Sequence, residues 1–507
     1  MSHDPSVLRL HETDNVAVAL RDIASGEALG FGKLRALEDI PAGHKVALAD
    51  IPAGQVVSKY GQPIGRAGAG ITAGAHVHVH NVRAEHGAAA EDAVPRVRPW
   101  PQSDAASSFE GFRRDNGLAG TRNYVGIVST VNCSATVVRK IGGRFTDEVL
   151  ADYPHVDGIV PVTHGSGCGM AAGGEGFALL QRTLRGFIGH PNFGGVLVIG
   201  LGCETNEIGR LLGDDGSLVQ SPALRSMTIQ AAGGTQEAIG RGERELRELL
   251  DIANQRRRET LPASQLTLGL QCGASDAFSG ISANPALGVA ADRLVRAGGS
   301  VLLAETPEIH GAEQLLIRRA ETPQVAADLR ARLDWWQDYV ARNGATLDNN
   351  PSPGNIAGGI STILEKSLGA VAKSGSSPLR GVVSYGERPS LRGFVFMDSP
   401  GYDPCSVTGE IAAGANVICF TTGRGSVFGA KPSPSIKLAT NSELARRMGG
   451  DIDFDCGPIL ANTMSLEEAG AGIFQLILET ASGRKSASEL SDFGDLEFVP
   501  WQLGAVL

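Results

Sequence analysis

At 507 residues the chain is too long for one compact core and long enough for two or three domains. A net charge of −10 with no basic stripe argues against nucleic acid as a partner, and no apolar run reaches the ~20 residues that a membrane helix needs. The 67 glycines and 5% aromatics suit a backbone that turns tightly and approaches ligands closely.

The start, MSHDPSVLRL, carries no apolar signal segment, and the seven cysteines are too few and scattered for a disulfide scaffold. A cytoplasmic protein is therefore expected, with thiols free to be core residues, ligands or nucleophiles.

Residues 1–85 read as a small β-rich module. The runs VAVAL (16–20), KVALADI (45–51) and HVHVHNV (76–82) are punctuated by glycine-containing turns. Residues 86–108 hold three prolines among small residues and read as a linker. From residue 109 apolar runs alternate with helical stretches. YVGIVST (124–130), GIVPVT (158–163) and GVLVIGLG (195–202) predict buried strands in an α/β domain over 109–262. LTLGLQCG (266–273), SVLLAETP (300–307), GFVFMDSP (393–400) and NVICFTTGRG (416–425) do so in a C-terminal α/β domain over 263–507. Helices are predicted over 235–258, 308–322 and 323–343, and a Gly/Asn/Pro-rich loop from 344 runs into a helix ending near 375.

Several segments are long enough to carry a resemblance. In the first module they are DNVAVAL, GHKVAL, KYGQPIG and HVHVHN. In the body they are GTRNYVGIVSTVNC, HGSGCG, GLGCE, LQCGASDAFSGISANPALG, NNPSPGN, LEKSLGAVAKSG and TTGRG. With these the chain resembles the altronate/galactarate dehydratase family over nearly its full length. The resemblance implies an α/β protein with a small N-terminal β-clip (SAF) domain followed by parallel-sheet α/β domains. It also implies loss of water from a hexonate or hexarate to give a 2-keto-3-deoxy acid, with a divalent metal, usually iron. A related branch eliminates sulfite from sulfolactate but divides the module and the body between chains, so the fused chain favours a sugar acid. A non-catalytic sugar-acid-binding protein is the remaining alternative. A homo-oligomer, a dimer, is expected.

Dehydrating a 2,3-dihydroxy acid requires a base at C2, an acid at the C3 hydroxyl, and a cation on the substrate oxygens. Cys133, Cys168, Cys203 and Cys272 each follow an apolar run where a strand should enter a loop. They are candidate ligands for Fe2+ or for an iron–sulfur cluster. His78 and His80 alternate in a predicted strand and would share a face with His76, as a second candidate metal face. His44 is read as shaping a turn, and Cys405, Cys419 and Cys456 as structural.

His164, ending GIVPVT four residues before Cys168, is the expected general base. Lys366 is the second candidate, or else a carboxylate-binding cation. Arg122, Asn123, Ser275, Asp276, Asn284, Asn355 and Arg424 are expected to bind the polyhydroxy acid. Asp276, Glu305 and Glu308 would serve as oxygen ligands if the metal were Mg2+-like or Mn2+-like. The GRG at 423–425 lacks the remainder of a dinucleotide fingerprint.

Overall fold

The computed structural model describes residues 6–84, 95, 107–213 and 221–504. The expected linker over 86–108 therefore lies almost wholly outside the described residues.

The first module is all-β. One antiparallel sheet joins Val7–Leu8, Val16–Ala19, Lys45–Ala47 and His76–Val77, and a second joins Val56–Lys59, Gln62–Ala67 and Val82–Arg83. Val16, Ala47, Val57 and Ile64 belong to the same buried cluster as Leu268, Leu287 and Leu364 of the C-terminal domain, so the module shares that domain's core.

The HVHVH reading needs correction. Only His76 and Val77 are extended. The chain then turns through His78–Asn81, where Asn81 and Val82 donate to the His78 carbonyl at 3.0 and 2.9 Å. A turn breaks the two-residue alternation, so His78 is buried while His80 is exposed.

The middle domain holds a parallel sheet in the order Gly158–Val162, Tyr124–Ser129, Phe193–Gly200, Leu224–Thr228. Helices Asn132–Gly142 and Thr235–Asn254 cover one face through Val138, Ile141, Leu246 and Leu249. On the other face Leu180, Leu184 and Phe187 of helix Glu175–Ile188 join one cluster with Met397, Ile411 and Phe420 of the C-terminal domain. The strand Glu259–Pro262 returns antiparallel to Ser108–Arg113, with Leu261 opposite Phe109. Entry and exit of the middle domain are thus paired, which places its boundary beside residue 262.

The C-terminal domain is built on a seven-stranded parallel sheet. Its order is Leu379–Val383, Phe394–Met397, Ser300–Leu303, Thr267–Cys272, Val417–Thr422, Ser435–Ala439, Phe454–Asp455. The chain starts at Thr267–Cys272, builds outward through Ser300–Leu303, and returns to the other side at Val417–Thr422. Strand order reverses there, and in open α/β sheets ligands collect beyond the strand C-termini at such a point.

One predicted element changed form. The expected helix 308–322 is a 3-10 turn, Thr306–Ile309, and a short helix, Glu313–Ile317. Glu305 at φ 71 and Gly311 at φ 84 interrupt any continuous helix. The helix Ile363–Ala372 begins at Thr362, whose side chain accepts from the Glu365 amide, and it is buried along its length.

Candidate active site

The first module meets the C-terminal domain through charge. Lys45 donates from Nζ to both Glu365 carboxylate oxygens, at 2.9 and 3.1 Å, and Lys59 donates to one of them at 2.9 Å. All three side chains are buried. The two ammonium groups hold the Glu365 carboxyl far below its usual range despite burial, and burial lowers Lys45 to about 8. GHKVAL, KYGQPIG and LEKSLGAVAKSG are thus three parts of one interdomain ion network.

Beside it, His44 shares a 2.9 Å hydrogen bond from Nδ1 to His76 Nε2, and its Nε2 lies 3.4 Å from the Ala357 carbonyl. His78 completes the group. One ring nitrogen from each of His44, His76 and His78 lies within 4.8 Å of the other two. Gly43, at φ 81, lets this turn press on the loop below, because a Cβ there would meet the Gly358 carbonyl at 3.2 Å.

At the strand-order reversal a second cluster gathers. Cys272 ends the central strand, Glu305 and Glu308 follow Ser300–Leu303, and Asp403 opens helix Asp403–Ala412. Lys366 and Lys373, seven residues apart, project from one face of helix Ile363–Ala372 and its C-terminal end. Lys366 Nζ donates to Glu308 Oε1 at 2.7 Å and to Asn350 Oδ1 at 3.1 Å, while Lys373 Nζ donates to Cys272 Sγ at 3.0 Å and stands 3.6 Å from Glu305.

Glu305 is fully buried, and neither carboxylate oxygen has a hydrogen-bond partner. Burial, then the neighbouring Glu308, pushes its pKa well up. The same two causes raise the half-buried Asp403 to about 7. Burial drives Cys272 to about 11. Lys366 is raised: burial is the largest single influence and opposes its charge, but Glu308, Cys272 and Glu305 together outweigh it. Lys366 is consequently an ammonium ion, which corrects its reading as a base and leaves the reading as a cation.

The polar residues of the neighbouring loops converge here too, although most are already engaged. Asp276 accepts from Ser279 N and Oγ, Thr440 Oγ1 and Asn441 Nδ2. Asn355 donates to the Ser275 carbonyl at 2.8 Å, and Asn284 bridges Thr421 Oγ1 and the Gly369 carbonyl. Any Cβ on Gly423 would collide with the Asp276 carboxylate, so the TTGRG loop closes against GASD. Arg424 remains exposed beside Gly354.

Comparison with known proteins covers all three parts of the chain. Residues 5–85 match the altronate/galactarate dehydratase SAF domain. Residues 111–254 match the second domain of D-galactarate dehydratase/altronate hydrolase, and residues 263–506 the C-terminal domain of D-galactarate/altronate dehydratase. The chain is 38% identical to an altronate dehydratase of Bacillus subtilis over 97% of its own length and 98% of that protein. It is 37% identical to an Escherichia coli altronate dehydratase, covering 96% and 98%, and 39% identical to the E. coli L-threo-forming galactarate dehydratase, covering 94% and 93%. The chain belongs to the altronate/galactarate dehydratase family. It is an enzyme of the hydro-lyase class.

A divalent metal is implied for this dehydratase family, and the three histidines fit one. Burial lowers His76 to about 4, His78 to about 3, and His44 below its usual value, so all three rings are neutral with lone pairs available. His78 Nδ1 is a buried nitrogen without a partner. Three imidazoles suit Fe2+ better than Mn2+, which favours oxygen donors. The Cys272, Glu305 and Glu308 donors are also close together, but the Lys366 and Lys373 ammonium groups occupy the space beside them and would repel a cation.

Other expected site residues of the dehydratase lie elsewhere. Cys272 does not join the remaining cysteines: it is buried in the C-terminal domain, whereas Cys133, Cys168 and Cys203 are exposed on the middle domain. His164 is buried with Nε2 3.1 Å from the Ser129 carbonyl and Nδ1 3.1 Å from Ser166 Oγ, and burial lowers it to about 4. Both nitrogens hold the loop in this structure, away from the cluster at the C-terminal strand-order reversal. Arg122 makes a buried bidentate pair with Glu489 and donates to the Thr480 and Arg484 carbonyls. Asn123 bonds Arg114 and the His155 and Ala253 carbonyls. Both join structural elements, and their polar atoms are spent on them. His80 contacts His76 ring to ring but stays outside the triad.

Sequence reasoning missed the place of His44 beside His76 and His78 and the presence of Lys373 and Asp403. The seven-residue spacing from Lys366 was a signal for Lys373. The DSPGYDP stretch after a buried strand was one for Asp403.

Proposed function

We propose that this enzyme dehydrates a hexonate or hexarate of the altronate or galactarate type to a 2-keto-3-deoxy acid, by removal of the C2 proton and loss of the C3 hydroxyl. The observation that carries the reading is the buried set of Glu305, Glu308, Asp403, Lys366 and Lys373 at the strand-order reversal, beside the three-histidine group.

Two carboxyl groups with raised pKa values supply an acid and a base at neutral pH. Glu305, with no hydrogen bond to satisfy either oxygen, is a strong acceptor for the C2 proton once ionised. Asp403 keeps its proton up to about pH 7 and delivers it to the departing C3 hydroxyl, which leaves as water. The Lys366 and Lys373 ammonium groups balance the negative charge that builds on the substrate carboxylate as C2 is deprotonated. Fe2+ held by His44, His76 and His78 would add Lewis-acid polarisation of substrate oxygens.

The test is an anaerobic assay of aldonates and aldarates with added Fe2+, reading 2-keto-3-deoxy acid formation. Altronate or galactarate should turn over. No keto acid from any member of the panel, with iron bound, overturns the reading, and sulfite release from sulfolactate replaces it. Exchange of the substrate C2 hydrogen with deuterated solvent should be lost in Glu305→Gln. Exchange at the wild-type rate would remove Glu305 as the base.

A further inference from the structure

The middle domain repeats the topology that places ligands. Its sheet starts at Tyr124–Ser129, adds Gly158–Val162 on one side, and returns to the other at Phe193–Gly200, so strand order reverses at the central strand. The segments that follow these three adjacent strands each carry one cysteine, Cys133 in the first turn of helix Asn132–Gly142 and Cys168 and Cys203 in loops.

The cysteines follow their strands at similar sequence distances. Ser129 pairs with Ile199, and Cys133 and Cys203 lie four residues beyond those partners. Val128 pairs with Val162; Cys133 is five residues past the first and Cys168 six past the second. With strands ~4.8 Å apart, the outer two loops start roughly 10 Å from each other.

The loops are also tied together next to the cysteines. Asn132 N donates to the Ser166 carbonyl at 2.9 Å, Asn206 N to the Gly167 carbonyl at 3.0 Å, and Asn206 Nδ2 to the Thr130 carbonyl at 2.9 Å. Gly167, at φ 100, is needed for this closeness, because a Cβ would overlap the Thr130 carbonyl. Cys133, Cys168 and Cys203 are exposed, while the other four cysteines are buried.

We propose that Cys133, Cys168 and Cys203 bind an iron–sulfur cluster of the [4Fe–4S] type in the middle domain, independently of the dehydration site. The three donors do not gather closely enough to share one ion, as the two compact donor groups among the described residues are the histidine triad and the Cys272 set. A cubane instead takes each thiolate on a different iron. Coordination costs each thiol its proton and changes no oxidation state in the protein. Two non-thiol donors of these segments, Glu204 and His164, are already engaged. Glu204 accepts from Thr130 Oγ1, Leu201 N and Gly202 N, and both His164 nitrogens hold their loop. The fourth iron therefore keeps a position for a small oxygen ligand from solution.

The test uses the full-length protein treated anaerobically with ferric iron, a thiol reductant that supplies the ferrous share, and sulfide, then measured for iron, acid-labile sulfide and visible thiolate-to-iron absorption. About four sulfides per chain are expected. Cys133→Ser, Cys168→Ser and Cys203→Ser should each lose sulfide and the absorption band while keeping the wild-type circular dichroism, because these side chains are exposed. His78→Ala should keep the sulfide and lose only the iron not accompanied by it. Absence of sulfide in the wild type, its retention in all three serine variants, or uptake of zinc without sulfide would each overturn the proposal. None of those outcomes touches the dehydratase reading, which is judged by its product.

Discussion

Asp403 sets the pH dependence expected of turnover. Its folded pKa of about 7 lies above the ordinary carboxylate value because burial and Glu308 disfavour its charge. As a general acid it works in the protonated form, so the rate should fall as pH rises through about 7. Asp403→Asn should lower kcat by roughly 10²–10⁴-fold and abolish that alkaline limb, since general acid–base catalysis is of that size. A retained limb in initial rates taken on both sides of neutrality would assign the titration to another group. At this scale the sequence showed residue types well and their duties poorly. Asn284, Asn355 and Asp276 sit inside the expected motifs, yet their polar atoms close loops. His164 looked like a base from its place at a strand end, but its burial and two hydrogen bonds cannot be read from spacing.

Among elements, the helix Ile363–Ala372 carries the most consequence. It offers Glu365 to the first module and Lys366 to the carboxylate cluster from adjacent positions, which on a helix point in different directions. Glu365→Gln would leave Lys45 and Lys59 as two buried ammonium groups without a counter-charge. Breaking a buried pair in this way typically costs about 3–5 kcal/mol. Denaturant unfolding should show that loss, with the first module becoming susceptible to protease before the body does. An unchanged midpoint would mean that the apolar contacts of Val57 and Ile64 alone seat the module. The long apolar runs predicted their strands closely, because strands buried on both faces leave an unbroken hydrophobic signature. LRGVV at Leu379–Val383 and SIKLA at Ser435–Ala439 escaped notice, since glycine or charge interrupts each run. HVHVH failed in the opposite sense: its alternation imitates a strand, while Asn81 accepts from the His78 amide and fixes a turn.

For the molecule as a whole, buried acids tie stability to pH. Glu410, fully buried against the central strand, is pushed up to about 8 by desolvation. The folded state then holds a proton that the unfolded chain releases above about pH 4.5. Stability from this group is complete below that value and is lost as pH rises toward about 8. Glu410→Gln keeps the shape without the charge, so the melting temperature should fall less between about pH 4.5 and pH 8 than in wild type. At about 1.4 kcal/mol per pKa unit the difference amounts to a few kcal/mol at most. Parallel melting curves for both proteins would reveal it, and coincident curves would place the pH sensitivity elsewhere.

The Lys45–Glu365–Lys59 network also has a clock built into it. Lys59 precedes its partner by 306 residues and Lys45 by 320. Synthesis at 5–20 residues per second separates the two ends of the bond by roughly 15–60 s. Throughout that interval the first module is already outside the ribosome, its histidines and two lysines open to water and its seat not yet made. The network closes only when the helix at 363–372 emerges, so the order of manufacture runs from the two lysines to their counter-charge.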